Sequence, residues 1–160
     1  MPTIEYRRTD IREIDSIRHL WLLLNEYMST RTTYFYRHFE QMTFEKRRAY
    51  FEQVASAGSL CVDLAFNVRD RDRYVGYCVS SRLTEKTGEI TGEIESIFVD
   101  EAYRSCGIGS ALVARALGWF DENGSTRNRV SVSEGNEAVW IFYKKFGFYP
   151  RMTVLEQKKR

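Results

Sequence analysis

Residues 97–112, IFVDEAYRSCGIGSAL, join an apolar strand to an amphipathic helix through a loop that contains Gly107 and Gly109. The first turn of a helix carries free backbone N–H groups and the positive end of the helix dipole, which together favour an anion. Glycines at this place remove the side chains that would keep a phosphate away from those N–H groups. Alternatively, the glycines only permit a tight turn and close helix packing. The stretch therefore predicts a strand–loop–helix unit with a candidate anion site.

Two widespread phosphate-binding motifs do not fit this loop. A dinucleotide-binding fingerprint would need a third glycine where the chain has Leu112, and its unit would not lie so far along the chain. A P-loop would need Gly-Lys followed by Ser or Thr, which is absent here. The two glycines therefore indicate a different class of loop.

Residues 136–148, NEAVWIFYKKFGF, predict a helix over residues 137–146 that ends at Gly147. Asn136 suits the N-cap of this helix, because its side chain can accept a hydrogen bond from the first turn. Tyr143 lies about two turns further along and projects from a similar side. Alternatively, Tyr143 only extends the apolar stripe of the helix, which consists of Val139, Phe142 and Phe146.

The hydrophobic pattern predicts the element order β-α-α-β-β-β-α-β-α-β, an α+β (mixed α/β) domain. Asp10 and Glu13 suit a capping box at the first helix, and Gly58 suits the end of the second. The three central strands follow each other closely, which predicts an antiparallel meander. Residues 29–39 show no clear period. Helices are expected over residues 10–28, 43–57, 108–123 and 137–146, and strands over residues 3–8, 60–66, 74–80, 89–99, 129–133 and 148–156.

The composition, with 43% hydrophobic, 14% aromatic and 29% charged residues, excludes a disordered, collagen-like or coiled-coil chain. A length of 160 residues suits a single domain, residues 1–160. The formal net charge of +2 gives no argument for a polyanionic partner. The longest purely apolar runs, residues 20–24 and 138–143, have only five and six residues, so we expect no membrane-spanning or secretory segment and hence a cytoplasmic protein. The cysteines, Cys61, Cys78 and Cys106, form neither a disulfide framework nor a metal-binding pattern.

The two motifs together resemble those of the GNAT superfamily, the acyl-CoA-dependent N-acyltransferases. The pyrophosphate loop of that family has the form Arg/Gln-x-x-Gly-x-Gly/Ala, which Arg104, Gly107 and Gly109 match. A second family signature, Asn…Tyr-x-x-x-Gly-Phe, is similar to the segment that begins at Asn136 and contains Tyr143. The resemblance implies a GNAT-like central sheet that is mostly antiparallel with one parallel, splayed pair of strands, flanked by about four helices.

The resemblance also implies an N-acetyltransferase that moves the acetyl group of acetyl-CoA to a primary amine by direct attack in a ternary complex, without a metal. Tyr143 would then be the general acid at the leaving sulfur. Glu93 or Glu95, which share one face of the strand before the loop, would be the general base, directly or through a water. A backbone N–H near Phe98 would stabilise the thioester oxyanion, and Asn136 would contact the pantetheine arm. The implied cofactor-binding residues are Ile97, Phe98, Val99, Arg104, Ser105, Cys106, Gly107, Ile108, Gly109, Ser110 and Asn136.

Two positions of the loop depart from the family pattern. Ser105 and Cys106 stand where the family often has a glycine and then a basic residue. The departure leaves the backbone N–H groups in place but removes one cation that would pair with phosphate. Cys106 has no histidine near it in the sequence, so we do not expect it to act as a nucleophile.

The amine acceptor stays open between a small molecule and a protein or peptide amine. Family members that acetylate α-amines of ribosomal proteins tend to carry Glu-Val-Arg where this chain has SVS at residues 131–133, which argues against that subclass. An aromatic cluster predicts an acceptor wall that, with a glutamate, suits a cationic amine with an apolar part. Alternatively, the cluster packs under its own loop or into a homodimer contact. The cluster consists of Tyr34, Phe35, Tyr36 and Phe39.

Two other classes of function compete with the enzyme. A non-catalytic acyl-CoA-binding regulatory module would keep the phosphate loop without the chemistry, and the presence of Asn136, Tyr143 and the two strand glutamates argues against it. A nucleic-acid-binding domain has only the aromatic and basic residues 31–37 in its favour. We therefore expect neither a nucleic acid nor a membrane as a partner.

Overall fold

The computed structural model describes residues 1–159, which form one five-stranded sheet flanked by five α-helices. The strands are β1 (Ile4–Thr9), β2 (Ser59–Asn67), β3 (Asp70–Thr84), β4 (Ile90–Val99) and β5 (Arg127–Val130). The helices are α1 (Arg18–Arg31), α2 (Tyr36–Gln41), α3 (Phe44–Ala57), α4 (Ile108–Glu122) and α5 (Trp140–Lys144). Short 3-10 segments precede α1, α4 and α5, at Ile11–Ile17, Glu101–Tyr103 and Glu137–Val139.

The strands lie in the sheet in the order in which they follow along the chain. Strands β1 to β4 pair antiparallel, and β5 pairs parallel with β4 after the crossover through α4. The parallel pairing runs only from Thr91 opposite Arg127 to Ile94 opposite Val130. Beyond it, β4 continues to Val99 while β5 has ended. The predicted sheet, mostly antiparallel with one splayed parallel pair, is thereby confirmed.

Two apolar cores cover the two faces of the sheet. Helices α1 and α3 cover one face, where Trp21 and Phe51 are buried against β2 and β3. Helix α4 covers the other face, where Leu112 and Phe120 are buried. Because both faces are covered, the middle of β2 is a nearly continuous buried run rather than an alternating one. No helix within residues 1–159 is both long and apolar enough to cross a membrane.

The boundaries of the second predicted helix are confirmed as those of α3, because its capping signals are local. Thr43 accepts a hydrogen bond from the backbone N–H of Lys46 at 3.2 Å, and Gly58 follows the last turn. At the first helix Asp10 accepts from the N–H of Arg12 at 3.0 Å. The predicted capping box is wrong, since the Glu13 carboxylate binds Arg7 and Thr9 instead. The chain then forms a 3-10 segment before α1 begins.

The strand predicted over residues 148–156 is wrong, because no strand follows β5 in the described residues 1–159. Its alternating apolar side chains have a strand-like pattern, but only Phe148 packs against the core, while Met152 and Val154 stay 74% and 82% exposed. A strand forms only where a neighbouring edge supplies hydrogen bonds, and this segment finds none. The predicted start of β5, residue 129, lies two residues after its observed start at Arg127. Helix α2 was not predicted, because its six residues are too few to show a helical period.

One buried charge ties the amino-terminal strand to both β2 and α4. Asp63 of β2 is fully buried and accepts hydrogen bonds from Arg8 at 3.1 Å and from Arg115 of α4 at 2.8 Å. Two guanidinium groups compensate one carboxylate, which is the arrangement that a buried charge requires. The cluster is structural, because its members lie away from the cavity described below.

We predict that Gly92→Ala destabilises the fold, because Gly92 of β4 lets α4 pack directly on the strand. A Cβ atom there would lie 2.5 Å from Cδ1 of Phe120 and 2.9 Å from Oδ1 of Asn128. Overpacking of this kind costs about 1–3 kcal/mol of unfolding free energy, which chemical denaturation measures.

Gly118→Ala is the matched control, since a Cβ at this position of α4 meets nothing within 4 Å. It should gain up to about 1 kcal/mol from helix propensity. Equal stability of Gly92→Ala and the wild type would contradict the packing described for β4 and α4.

Candidate active site

A cavity of about 280 Å³ opens where β5 ends and β4 continues alone. Side chains of α1 and α2 form one wall, and the diverging ends of β4 and β5 form the other. Four predicted site residues line it together, namely Glu95, Ile97, Asn136 and Tyr143. The lining also includes Trp21, Leu24, Met28, His38, Phe39 and Arg47. The predicted acid and one of the two predicted bases therefore share one cavity.

Glu95 is half-buried at the cavity, and both of its carboxylate oxygens accept a hydrogen bond. The Tyr50 hydroxyl of α3 donates to Oε2 at 2.8 Å, and the Ser81 hydroxyl of β3 donates to Oε1 at 2.6 Å. Both donors are neutral. Glu95 forms no ion pair with any of residues 1–159, so its negative charge is available to a ligand.

Glu93 has a different environment although it stands only two positions earlier on β4. Arg129 of β5 donates to its Oε2 at 2.7 Å, which forms an ion pair, and the Ser131 hydroxyl lies 3.4 Å from its Oε1. Glu93 is not among the residues that line the cavity. The structure therefore distinguishes the two candidate bases, between which the sequence could not decide: Glu95 lines the cavity, and Glu93 is ion-paired outside it.

A register shift in the sheet places Glu95 at the cavity. Val79 of β3 lies opposite Ser96, and the next residue, Ser80, lies opposite Ile94. Glu95 is thus the additional residue of a β-bulge, and no residue of β3 lies directly opposite it in the register. Bulges bend a strand and redirect side chains, and here the bulge coincides with the point at which β4 parts from β5.

Tyr143 of α5 reaches the cavity from the opposite side of the sheet's splayed end. Only 5% of the residue is exposed, and its ring packs edge-on against Phe142 and Phe148. This burial raises the pKa of Tyr143 above its ordinary value. The hydroxyl makes no hydrogen bond with another residue among 1–159, so a protonated phenol is available to a ligand in the cavity.

Asn136 lines the same cavity but does not cap a helix through its side chain. The predicted N-cap is wrong in this detail, because the turn after Asn136 is closed by the backbone. The N–H of Val139 donates to the carbonyl of Asn136 at 3.1 Å. The side-chain amide is consequently left for the cavity, and the helix predicted over residues 137–146 is reduced to a 3-10 turn and the short α5.

The loop before α4 presents a row of unpaired backbone donors. The N–H groups of Ser105, Cys106, Gly107, Ile108, Gly109 and Ser110 make no hydrogen bond within residues 1–159, and the first paired one, of Ala111, donates to Gly107 at 3.0 Å. Gly107 has a φ of +76° at the N-cap of this helix, a conformation that favours glycine. A Cβ at Gly107 would point into open space, and one at Gly109 would lie 3.5 Å from Phe142. The loop therefore borders α5, the helix that carries Tyr143.

Arg104 and Ser105 shape this loop. The Arg104 guanidinium donates through Nε to the carbonyl of Val99 at 3.2 Å and stacks near the rings of Tyr27 and Phe98. It thereby fixes the loop to the end of β4. Ser105 has a φ of +65°, so the position where the family often has glycine keeps the glycine-like conformation with a serine in it. Cys106, the next residue of the loop, is half-buried.

The backbone of Ile97, Phe98 and Val99 forms a free edge of β4 that starts in the cavity at Ile97. These residues pair with Cys78, Tyr77 and Gly76 on one side, and no strand within residues 1–159 pairs with their other side. A free strand edge can pair with an extended ligand.

The predicted aromatic cluster is divided between two places. Phe39 lines the cavity that contains Glu95. Tyr34, Phe35 and Tyr36 instead line a separate cleft of about 680 Å³ with residues 156–159. Glu134 holds their loop in place, since its carboxylate accepts from the Thr33 backbone at 2.7 Å.

Sequence reasoning missed the residues that surround Glu95. Tyr50 and Ser81 are distant in the chain, and their hydroxyls carried no local signal. Arg47, whose guanidinium donates to the backbone carbonyl of Glu95 at 2.8 Å, was missed for the same reason. Within residues 1–159 there is no group of three or more His, Cys, Asp or Glu side chains that could hold a metal.

We predict that Ser105→Gly stabilises the protein by about 0.5–1 kcal/mol, because a left-handed backbone strains serine and not glycine. Ser110→Gly, in the first turn of α4, is the control and should lose about 0.5 kcal/mol through helix propensity. Urea denaturation measures both. A loss of stability in Ser105→Gly would contradict the loop conformation.

Comparison with known proteins agrees with this geometry. The model of the acetyltransferase (GNAT) family matches residues 18–148. The peptidyl-lysine N-acetyltransferase YjaB of Escherichia coli is 37% identical over 81 residues, which are 51% of this chain and 46% of that protein. The chain spans about half the length of the curated relatives that it matches.

Solved structures show the same fold over nearly the whole chain. A Pyrococcus furiosus protein, assigned provisionally as an acetyl transferase, is 26% identical with a TM-score of 0.69, covering 96% of this chain and 99% of that one. The aminoglycoside N-acetyltransferase AAC(6')-Iy, solved in complex with CoA, has a TM-score of 0.71 at 17% identity, covering 100% and 97%. The resemblance inferred from the two motifs is confirmed: the chain belongs to the acetyltransferase (GNAT) family.

Proposed function

We propose that the protein is an acetyl-CoA-dependent N-acetyltransferase that acetylates a primary amine by direct attack in a ternary complex. The observation that carries the proposal is the placement of Glu95 and Tyr143 in one cavity beside the loop of unpaired N–H groups. A base and an acid are the two proton-handling groups that transfer from a thioester to an amine requires. Family membership and the names of the relatives support the reaction class.

The residues of the loop fit the pyrophosphate of CoA. Unpaired N–H groups over Ser105 to Ser110 and the positive end of α4 supply donors and partial positive charge. The free edge of β4 at Ile97 and Val99 fits the amides of the pantetheine arm, and Asn136 adds a side-chain amide. When bound, acetyl-CoA supplies the acetyl group as a thioester. A backbone N–H near Phe98 is the proposed donor to the oxyanion.

Glu95 is the proposed base. An amine attacks only in its neutral form, so a proton must leave it before or during the attack. Each carboxylate oxygen of Glu95 keeps a lone pair beyond the hydroxyl hydrogen bond that it accepts, and accepts the proton directly or through a water. Glu93 is unsuited to this role, because Arg129 pairs with it outside the cavity.

Tyr143 is the proposed acid. Its pKa is raised by burial, so the phenol stays protonated at neutral and moderately alkaline pH. It can therefore donate a proton to the leaving thiolate throughout the range in which amines become neutral. The free hydroxyl has no competing acceptor within residues 1–159.

The acceptor is proposed to be a cationic amine with an apolar part. The cavity offers one uncompensated carboxylate, that of Glu95, among the side chains of Trp21, Leu24, Met28 and Phe39. A peptide lysine and a small amine both have this chemistry, and relatives named for peptidyl-lysine and for aminoglycosides exist. A cytoplasmic location, the absence of a metal and the absence of nucleic-acid or membrane partners remain predictions.

We predict that Glu95→Gln lowers turnover about 100-fold, because it removes the proton acceptor while keeping the size of the side chain. Free thiol release from acetyl-CoA, with an amine that the wild type accepts, measures the rate. Glu93→Gln is the matched control on the same strand and should retain most of the activity.

The opposite ranking of the two variants would contradict the assignment of the base. If Glu95→Gln and Glu93→Gln both changed turnover only slightly, water alone would accept the proton, and Glu95 would not be the base.

We predict that Tyr143→Phe lowers kcat about 100-fold and leaves the binding of acetyl-CoA nearly unchanged, since only the hydroxyl is lost and the ring keeps its packing. Steady-state kinetics and the rise of the melting temperature with acetyl-CoA concentration measure the two effects. Unchanged kcat, with chemistry shown to limit the rate, would exclude Tyr143 as the acid.

A further inference from the structure

We propose that Tyr50 of α3 is a positioning residue that holds the carboxylate of Glu95 in its reactive orientation; this inference rests on the proposed role of Glu95 as the base. The Tyr50 hydroxyl donates to Oε2 of Glu95 at 2.8 Å. Tyr50 is not among the residues that line the cavity, so it acts on the reaction through Glu95 rather than on the substrate.

Helix α3 is anchored well enough to make Tyr50 a fixed point. Phe44 and Phe51 of this helix are fully buried in the core that α1 and α3 form on one face of the sheet. Arg47, one turn before Tyr50, has its guanidinium 4.7 Å from the centre of the Tyr50 ring and donates to the backbone carbonyl of Glu95 at 2.8 Å. Two consecutive turns of α3 thus hold both the backbone and the side chain of Glu95.

The bulge makes such support necessary. Glu95 has no partner on β3, so the cross-strand neighbours that usually restrict a side chain are displaced. Tyr50 and Ser81 each occupy one carboxylate oxygen, which fixes the plane of the carboxylate. Burial and the neighbouring Glu95 raise the pKa of Tyr50 to about 12, so its hydroxyl remains a donor at any working pH.

The test is Tyr50→Phe in the full chain, with kcat and the KM values for the amine and for acetyl-CoA measured by steady-state kinetics. We expect kcat about tenfold lower and a KM for acetyl-CoA within twofold, because the carboxylate loses its fixed orientation while the acetyl-CoA site is unchanged. Tyr149→Phe is the matched control, because Tyr149 is 71% exposed and lies outside the cavity. Ser81→Ala, which removes the other hydroxyl that donates to Glu95, should lower kcat in the same way.

A double-mutant cycle separates positioning from general damage to the fold. In a Glu95→Gln background, Tyr50→Phe should change the residual rate less than twofold, because the group that it positions is gone. An equal loss in both backgrounds would overturn the proposal. A wild type that is inactive with every amine would overturn the proposed function itself, whereas an active wild type with a wild-type-like Tyr50→Phe overturns only the role of Tyr50.

Discussion

The divergence of β4 from β5 is the constraint on which the candidate site depends. The two strands are bonded over only four residue pairs, and β4 then runs on for five residues without a partner on that side. Backbone groups at such an edge need partners, and residues 1–159 supply only isolated ones, as where Arg104 donates to the carbonyl of Val99. The divergence therefore produces both a cavity and a free edge. Phe120, packed on Gly92 of β4, fixes α4 against the strand just before the divergence.

Charge is distributed unevenly around this opening. Glu93, before the divergence, is neutralised by Arg129, whereas Glu95, at the divergence, is held by two neutral hydroxyls. A carboxylate that is oriented without being neutralised can attract a cationic amine and accept its proton, while an ion-paired one does neither well. The difference arises from one additional residue in β4. Under the proposed function, the bulge is thus the feature that selects the base.

The sequence predicted those parts of the structure that have local causes. The loop that opens α4, the cap at Asp10, the end of α3 at Gly58 and the strand–helix–strand unit around Gly107 all follow from residues adjacent in the chain. The bulge at Glu95 depends on the register between β3 and β4, which no local pattern in the sequence indicates. The hydrogen bonds from Tyr50 and Ser81 to Glu95 join α3, β3 and β4, so they had no local signal either. The strand expected over residues 148–156 failed for the related reason that a pattern indicates a propensity and not a neighbouring edge. Of the aromatic cluster that the sequence predicted as an acceptor wall, only Phe39 reaches the cavity, because Glu134 holds the loop that carries the other three beside a separate cleft.

Under the proposed function, one cavity brings the amine, Glu95 and Tyr143 together for direct transfer from acetyl-CoA. The sharpest test is initial-velocity kinetics with acetyl-CoA and an accepted amine varied together, followed by mass spectrometry of the enzyme after incubation with acetyl-CoA alone. We expect intersecting reciprocal plots, which a ternary complex produces, and no acetylated residue in the enzyme that turns over with the amine. Parallel plots, together with an acetyl group on Cys106 that the amine removes, would contradict direct transfer.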